Sequence, residues 1–396
     1  MIRADVLSTL YEQLPPVAPA GGAGVATAYL DTTHGVENAA KLIELRWREE
    51  RRSLARQGAD ESTLDAIGEL VGVHRRPPGP QGQVLVGAAG EVRYDAVLPQ
   101  PPPRQAARFA ALPHLMPLVA QLRPLVPHVL AVVDRAGGDV TVHGPDTAEE
   151  HELSGRDYPL HKSGQGGWSA PKYEHRTEET WAENARLVAA FVDSAVRRVG
   201  ARLVVLSGDP KARSLVRDGL GKRSRELVTE IDEDVRHSAH DESLQQQVDR
   251  LVADVAAGED AAAVARFEEE CGQRDKAVTG LAATIEALRL AQVETLFWTL
   301  DGTEPATEPA TEPATGAVIG ADAPSAVAWI GPEPVHLGLT PAQLRALGVP
   351  DPVSDRLDAV LVRAAVGTGA SIVALQPGRP RLTDDVGALL RYTLPG

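Results

Sequence analysis

Residues 161–176 read His161-Lys162-Ser163-Gly164-Gln165-Gly166-Gly167-Trp168-Ser169-Ala170-Pro171-Lys172-Tyr173-Glu174-His175-Arg176. The stretch holds three glycines within four residues and few apolar side chains, so its backbone can bend sharply or approach a partner closely. Lys162, Lys172 and Arg176 make it cationic. A strand pattern precedes it and a helix pattern follows it. Composition leaves open whether this is a binding loop on a rigid scaffold or a disordered surface segment.

The order of residues in this stretch resembles a loop of the archaeal and eukaryotic class 1 release factors. That family reads Gly-Gly-Gln-Ser-Ala followed by a basic and an aromatic residue, and its glutamine positions the water that cleaves peptidyl-tRNA in the ribosomal peptidyl transferase centre. The matching residues here are Gly166, Gly167, Trp168, Ser169, Ala170, Lys172 and Tyr173. Trp168 stands where the family has glutamine. An indole has one N–H donor and no carbonyl oxygen, so it cannot place a nucleophilic water as an amide can.

A second register of the same resemblance stays open. Ser163-Gly164-Gln165 can stand in for Gly-Gly-Gln, which restores a glutamine but puts the Ser-Ala pair and the basic-aromatic pair out of step. In the first register the chain has no catalytic residue. In the second, Gln165 is the candidate catalytic group of a peptidyl-tRNA hydrolase.

The resemblance implies a set of residues that contact the ribosome and its RNA. They are Lys162, Gly164, Gln165, Gly166, Gly167, Trp168, Ser169, Lys172, Tyr173 and Arg176. No cofactor and no metal site are expected. His237 and His240, followed by Asp241, have the spacing of a helical metal pair, but no third distant ligand is indicated. Asp134 at the end of a strand pattern lacks a second acid, and Gly219 to Ser224 lacks the spacing of a phosphate-binding loop.

Length and composition limit the remaining classes of protein. The chain has 396 residues, which suits two or three domains, and 43% hydrophobic residues, which suffices for real cores. A single cysteine, Cys271, allows no internal disulfide and fits a reducing compartment. Glu268 to Glu270 precede it and are expected to raise its pKa. The net charge of −15 argues against non-specific coating of nucleic acid, although local basic patches can still dock on RNA.

The N-terminal third is predicted to be an α+β domain. Residues 25–30 are typical of a buried strand, and residues 36–57 of a helix with Leu42, Leu45 and Trp47 among its apolar positions. Residues 84–87 and 92–95 pair around a turn. The helix carries five arginines among three glutamates, which indicates either a solvated face with ion pairs four residues apart or an RNA-facing helix.

The middle and C-terminal segments have the order of strands and helices that the release factors show. Residues 129–134 and 140–143 are predicted as strands, residues 180–199 as a helix, 203–208 as a strand, 209–218 as a helix and 227–231 as a strand. Helices are predicted at 245–255 and 261–271. Residues 276–296 resemble the start of the C-terminal domain shared by release factors and Pelota, and residues 387–392 resemble its terminal Gly-Ala-x-Leu-Arg-Tyr. A Thr-Glu-Pro-Ala repeat within residues 302–316 prevents helix and strand.

The predicted fold class is therefore α/β (α+β) with three domains. A divergent N-terminal α+β domain spans 1–126, a middle domain with a mixed sheet and the loop 161–176 spans 127–242, and the C-terminal domain spans 243–396 with the Pro-rich insertion 302–316. The resemblance implies an α/β/α fold for the last, like that of kink-turn-binding ribosomal proteins.

The N-terminal third lacks the codon-reading motifs of true release factors. The chain is similar instead to the bacterial branch of the release factor and Pelota superfamily, which includes Balon-type and actinobacterial ribosome hibernation factors. This resemblance implies a cytoplasmic, monomeric translation factor that binds the 70S ribosome at its vacant A site without hydrolysis. Elongation factor Tu is a further candidate partner, and no contact with a membrane is expected. The alternative is a peptidyl-tRNA hydrolase acting on stalled ribosomes.

Overall fold

The computed structural model describes residues 5–17, 24–34, 38–74, 79–102, 106–121, 126–144, 148–154, 170–232, 242–273, 275–300, 327–375 and 380–393. The chain divides into two compact units, and each is described by itself. Unit 1 contains Met1–Arg123 and Asp260–Gly396, and unit 2 contains Pro124–Glu259. Most of the predicted segments 1–126 and 243–396 thus lies in unit 1, while residues 124–126 and 243–259 fall in unit 2. The three-domain division stays a prediction.

The described elements follow one another as strands and helices of mixed order. The strands are β1 (Val25–Asp31), β2 (Gly82–Ala88), β3 (Glu91–Leu98), β4 (Ala106–Ala110), β5 (His128–Val133), β6 (Gly137–His143), β7 (Ala148–Ser154), β8 (Leu203–Gly208), β9 (Val228–Glu230), β10 (Ala277–Thr279), β11 (Val293–Thr299), β12 (Val327–Ile330), β13 (Leu337–Gly338), β14 (Val353–Arg356), β15 (Ser371–Leu375) and β16 (Val386–Leu390). The helices are α1 (Asp5–Gln13), α2 (Ala39–Arg56), α3 (Glu61–Leu70), α4 (Met116–Gln121), α5 (Ala170–Val199), α6 (Pro210–Gly219), α7 (Lys222–Glu226), α8 (Glu242–Gln273), α9 (Leu281–Arg289), α10 (Pro341–Ala346) and α11 (Leu357–Gly367).

Unit 2 is built on a mixed five-stranded sheet in the order β7-β6-β5-β8-β9. Strands β5, β8 and β9 are parallel, while β6 is antiparallel to both β5 and β7. Alternate residues of β5 point to opposite faces: Val129 and Ala131 pack on α5 and α6, and Leu130 packs on the first half of α8. The predicted mixed sheet covered by helices is confirmed.

Two helices of this region are longer than the sequence pattern indicated. Helix α5 begins at Ala170 rather than at the predicted residue 180. Helix α8 runs without a break through the two helices predicted at 245–255 and 261–271. Gly258 inside α8 meets no neighbouring side chain, so nothing forces a break there. Glycine lowers helix propensity by only about 1 kcal/mol, which a helix packed at both ends can absorb.

Unit 1 contains an antiparallel sheet in the order β3-β2-β1-β4. The hairpin of β2 and β3 turns at Ala89 and Gly90, both of which have a positive φ. Helices α2 and α3 cover one face of this sheet through Trp47, Leu54 and Ile67. Leu42 and Leu45, predicted among the apolar positions of α2, are 41% and 45% exposed; Ile43 is the buried residue of that turn.

The arginines of α2 follow the ion-pair interpretation only in part. Arg48 pairs with Glu44 four residues earlier, as that interpretation predicts. Arg46 and Arg51 instead pair with carboxylates outside the helix. The face therefore ties α2 to β1 and α3, and the RNA-facing alternative stays a prediction.

The second sheet of unit 1 is mixed, in the order β10-β16-β11-β15, with β11 and β15 parallel. Helix α11 is buried along its length, from Leu357 to Val366, and shares a core with α1, α4 and α9. A smaller sheet, β13-β12-β14, adjoins it. The mixed α/β fold class is confirmed in both units.

A buried ionic cluster links the early and late segments of unit 1. Asp355 accepts hydrogen bonds from the Arg108 guanidinium and from the backbone N–H of Leu112, the latter at 2.9 Å. Asp358 lies 3.1 Å from His114 Nε2 and accepts from Arg356 at 2.7 Å. Burial alone would raise the pKa of Asp358, but these two partners hold it well below its usual value.

Arg391, which belongs to the C-terminal Gly-Ala-x-Leu-Arg-Tyr segment, has a structural role. Arg391 Nη2 donates to the carbonyl oxygens of Thr368 and Gly369 at 2.9 and 2.8 Å, just after α11 ends, and Nη1 donates to that of Ala291 at 3.2 Å. Tyr392 is 66% exposed. In the part of the chain that is described, no helix is long and apolar enough to cross a membrane.

Candidate functional site at the base of the glycine-rich loop

One edge of the unit 2 sheet gathers the ends of several strands. Val133 at the end of β5 pairs with Gly208 at the end of β8, because the two strands are parallel. Ser154 at the end of β7 pairs with Gly137, beside the Val133–Gly138 pair. We call this the loop edge, since residues 155–169 follow Ser154. Ligands of α/β sheets bind outside the carboxyl ends of parallel strands, which makes this edge the place to look for a site.

The close approach of strands at the loop edge requires glycine. Gly208 has a φ of +104°, and a Cβ there would lie 2.1 Å from the carbonyl oxygen of Val133. A Cβ on Gly137 would lie 1.8 Å from the carbonyl oxygen of Leu153. A side chain at position 208 would push β8 away from β5, and a side chain at position 137 would push β6 away from β7.

Trp181 of α5 lies at the loop edge between two cations. The Arg135 guanidinium lies 4.5 Å from the centroid of the Trp181 ring, and the Lys211 ammonium lies 5.1 Å from it. Each cation–π contact contributes about 0.5–1 kcal/mol at an exposed site. Asn184, one turn later and buried, donates to the carbonyl oxygen of Arg135 at 3.1 Å. These contacts fix α5 against the turn after β5.

Asp209 connects this cluster to the next helix. Its Oδ1 accepts from the backbone N–H groups of Lys211 and Ala212, both at 3.0 Å, which caps the N-terminus of α6. Its Oδ2 accepts from Arg135 Nε at 3.2 Å. One carboxylate thus binds the Arg135 guanidinium and the backbone at Lys211, and Arg135 remains 53% exposed.

Helix α5 begins well before this contact. Trp181 lies eleven residues after Ala170, so about 16 Å of helix precedes it at 1.5 Å per residue. The described arrangement is therefore a helical stalk anchored by Trp181 and Asn184 at the loop edge, with residues 155–169 between its start and Ser154.

The predicted loop residues fall largely outside what the structure describes. Lys162, Gly164, Gln165, Gly166, Gly167, Trp168 and Ser169 lie outside the described residues. Lys172, Tyr173 and Arg176 lie in the first turns of α5, where the backbone alone is described. Their assignment to ribosome contact stays a prediction, as does Gln165 as a catalytic group.

The other candidates of the sequence have structural roles. Asp134 accepts from the backbone N–H groups of Ala136 and Gly137 at 2.7 and 2.9 Å, so it caps the turn between β5 and β6. The pKa of Cys271 is raised as expected, although burial is the main cause and Glu268 the second. His237 and His240 lie outside the described residues. Within the described ranges, no three His, Cys, Asp or Glu side chains are grouped to hold a metal ion.

Sequence reasoning missed Arg135 and Lys211. Trp181 was identified only as an apolar position of a helix, and Asp209 only as the start of the next one. The available signal was the recurrence of a charged residue directly after each of two parallel strand patterns, at Asp134-Arg135 and at Asp209. Parallel strands bring such positions to one edge.

Comparison with known families supports the resemblance seen in the loop. Residues 127–273 match the model of bacterial archaeo-eukaryotic release factor family 2. Two proteins of Mycobacterium tuberculosis, MT2704 of strain CDC 1551 and Rv2629 of strain H37Rv, both of uncharacterised function, are 28% identical to this chain over 375 residues, which is 93% of each chain.

Some solved structures resemble the chain at low sequence identity. One is an archaeal translation termination factor, aRF1, which is 13% identical and has a TM-score of 0.25. That match covers 98% of this chain and 97% of the other. Archaeal Pelota, from a model of ribosome-bound Pelota and ABCE1, gives 14% identity, 99% and 95% coverage and a TM-score of 0.38. Scores this low carry no argument about domain arrangement. The family match over residues 127–273 agrees with the loop sequence and the mixed sheet, and this part of the chain is similar to the bacterial archaeo-eukaryotic release factors.

Proposed function

We propose that the protein is a ribosome hibernation factor that occupies the vacant A site of the 70S ribosome and reaches the peptidyl transferase centre without hydrolysis. The observation that carries the proposal is a release-factor-type domain in which Trp168 replaces the glutamine of the loop. Without that amide, the loop keeps the residues suited to contact and loses the group suited to placing water.

The contacts at the loop edge support this proposal because they make the base of helix α5 rigid. A factor that fills a narrow ribosomal site needs its loop on a rigid support, because every residue ordered on binding costs conformational entropy. The contacts of Trp181, Asn184 and Arg135 already fix the stalk in the free protein. The aromatic face of Trp168 suits stacking on a base, which is worth about 1–3 kcal/mol.

Gln165 favours a second candidate function, peptidyl-tRNA hydrolysis on stalled ribosomes. It is an amide within the same loop, three residues before Trp168. The two functions differ in one measurable product, the released peptide. The role of elongation factor Tu, the cytoplasmic location and the monomeric state are parts of the same proposal.

The direct test is co-sedimentation of the protein with 70S ribosomes from starved cells, with and without elongation factor Tu. Binding is expected, together with negligible release of labelled peptide from ribosomes that carry peptidyl-tRNA. A protein that stays in the supernatant under all conditions would refute the proposal. Release that disappears in Gln165→Ala would establish the hydrolase instead.

A further inference from the structure

Helix α7 concentrates cations that form no ion pair with an acidic side chain among the described residues. Residues 209–226 contain six basic side chains and three acidic ones, a net charge of +3 in a chain of −15. Lys222, Arg223 and Arg225 are exposed and all lie within the five residues of α7. Glu226 stands four residues after Lys222, yet no ion pair joins them. We call Lys222, Arg223 and Arg225 the α7 patch.

Five other arginines of unit 2 are paired with carboxylates. Carboxylates pair with a set that includes buried and exposed members: Arg135, Arg198, Arg202, Arg213 and Arg217. Among the described residues of the unit, the α7 patch holds three cations without such a pair in a single turn. An ordinary solvated helix face places acids and bases in alternation, so this concentration indicates an anionic partner.

The corner that carries the patch is rigid. Arg225 donates to three carbonyl oxygens, those of Arg217 at 3.1 Å, Asp218 at 2.6 Å and Leu220 at 3.0 Å. Gly221 N–H donates to the Asp193 carboxylate at 3.0 Å, and Ser224 and Leu220 are buried. The Arg225 charge is therefore held in place by neutral groups, so it is not cancelled. Lys222 and Arg223 extend from a fixed backbone.

The position of the patch separates it from the loop edge. Helix α7 precedes β9, whose first residue, Val228, pairs with Val204 near the start of β8. The α7 patch thus lies toward the opposite end of the strands from Gly208, and four residues of β8, or about 13 Å, separate Val204 from Gly208. Two contact points this far apart would fix the orientation of the domain on a large partner.

We propose that the α7 patch binds backbone phosphates of ribosomal RNA, as a second contact of the middle domain distinct from the glycine-rich loop. The inference rests on the proposed ribosome-binding function. Phosphates are favoured over carboxylates of a protein because the cations are evenly exposed and unaccompanied by apolar residues. The ammonium of Lys222 can bind a phosphate as a single positive charge. The planar guanidinium of Arg223 can donate two parallel hydrogen bonds to it.

The first test measures the salt dependence of binding to 70S ribosomes for the wild type and for Lys222→Ala/Arg223→Ala. Each lost phosphate contact lowers the slope of log affinity against log salt by about 0.9. Losing two contacts therefore weakens binding by at most ~60-fold at 0.1 M salt. Both side chains are exposed and unpaired, so the melting temperature should not change. The control is Arg250→Ala/Arg345→Ala, which removes two exposed arginines elsewhere and is expected to leave the slope unchanged.

The outcomes separate this inference from the proposed function. If the wild type does not bind ribosomes, the proposed function fails. If the wild type binds and the α7 variant binds with the same affinity and slope, or the control variant falls equally, the α7 inference alone is overturned.

A second test identifies the partner chemistry. With Cys271→Ala as background, Lys222→Cys provides a single thiol for a tethered iron chelate that cleaves nearby RNA. Cleavage of ribosomal RNA is expected from position 222, with a different pattern from Arg250→Cys. A probe at 222 that leaves the RNA intact while position 222 crosslinks to a ribosomal protein would overturn the assignment to phosphates.

Discussion

The guanidinium of Arg135 lies 4.5 Å from the centroid of the Trp181 ring, and the same guanidinium is held by Asp209 at 3.2 Å. Arg135 follows β5, Asp209 follows β8 and Trp181 belongs to α5. Three elements that are distant in sequence therefore meet at the loop edge. The proposed function of the loop requires this support to be rigid.

Replacing Arg135 with alanine should loosen the stalk. Loss of the cation–π contact and of a partly exposed ion pair is expected to cost about 1 kcal/mol. Amide hydrogen exchange of residues 179–184 should become faster, while exchange in β5 should not change. The matched control is Arg250→Ala, which removes an exposed arginine without a partner among the described residues. Unchanged exchange in α5 would show that the stalk is held by other contacts.

Removing the buried carboxylate of Asp358 should destabilise unit 1. Asp358→Asn leaves Arg356 and His114 without their anionic partner, and breaking a buried pair typically costs about 3–5 kcal/mol. Denaturant unfolding measures the loss. A loss below about 1 kcal/mol would show that the cluster adds nothing beyond packing.

The same residue gives a pH dependence with a defined sign. The folded-state pKa of Asp358 lies below that of an unfolded aspartate, which is about 3.9. Its contribution to the free energy of unfolding is therefore complete above about pH 4 and is lost as the pH falls through the folded pKa. Asp358→Asn should flatten the stability curve in the acid range. An unaltered acid limb would contradict the assignment.

Two stacked histidines predict a second pH effect. His128 and His143 stack with their centroids 4.2 Å apart, and burial lowers the pKa of both below the usual 6.5. The two neutral histidines make their full contribution to the free energy of unfolding above about pH 6.5. That contribution should fall as the pH drops toward the folded-state pKa values, because protonation is less favourable in the folded protein. Asp249 and Glu150 oppose this shift for His143. His143→Phe keeps a ring in the stack and should reduce the pH dependence between pH 5 and about 6.5; a curve that superimposes on the wild type would argue against it.

Deleting the Thr-Glu-Pro-Ala repeats, residues 303–314, should leave folding intact. The repeat has no apolar periodicity, and loop-length changes cost only about 0.6 kcal/mol per doubling. The melting temperature of the deletion variant measures this. A fall of more than about 5 °C would mean that the segment packs against the rest of the chain.

The sequence predicted well those elements whose apolar pattern has a single interpretation. The strands β1, β5 and β8 lie close to where their apolar runs indicated. The pattern did not predict β7, a strand of alternating charged residues. It also divided α8 in two because Gly258 interrupts the apolar period without breaking the helix.

The support of the loop could not be predicted for a different physical reason. Arg135, Trp181 and Lys211 are brought together by parallel strand pairing between β5 and β8, which no local pattern encodes. The family resemblance predicts the loop residues because Gly166, Gly167 and Ser169 lie within four consecutive positions of the sequence, and that assignment stays a prediction. Its support is a property of the sheet and required the topology.

The identity of the contact residue in the loop is tested by one substitution. Trp168→Ala should weaken binding to 70S ribosomes by up to about 100-fold, the upper end of one lost base stack. Trp168→Phe retains a stacking ring and serves as the matched control, with most of the affinity kept. Equal affinities for wild type and Trp168→Ala would show that the indole is not a contact.

The central claim, occupancy of the vacant A site, is tested most directly by measuring the affinity of the protein for 70S ribosomes with an empty A site and for the same ribosomes with that site filled by tRNA. The account predicts tight binding to the first and a large loss of binding to the second, because the protein and the tRNA compete for one place. Binding that persists undiminished when tRNA fills the A site would contradict it.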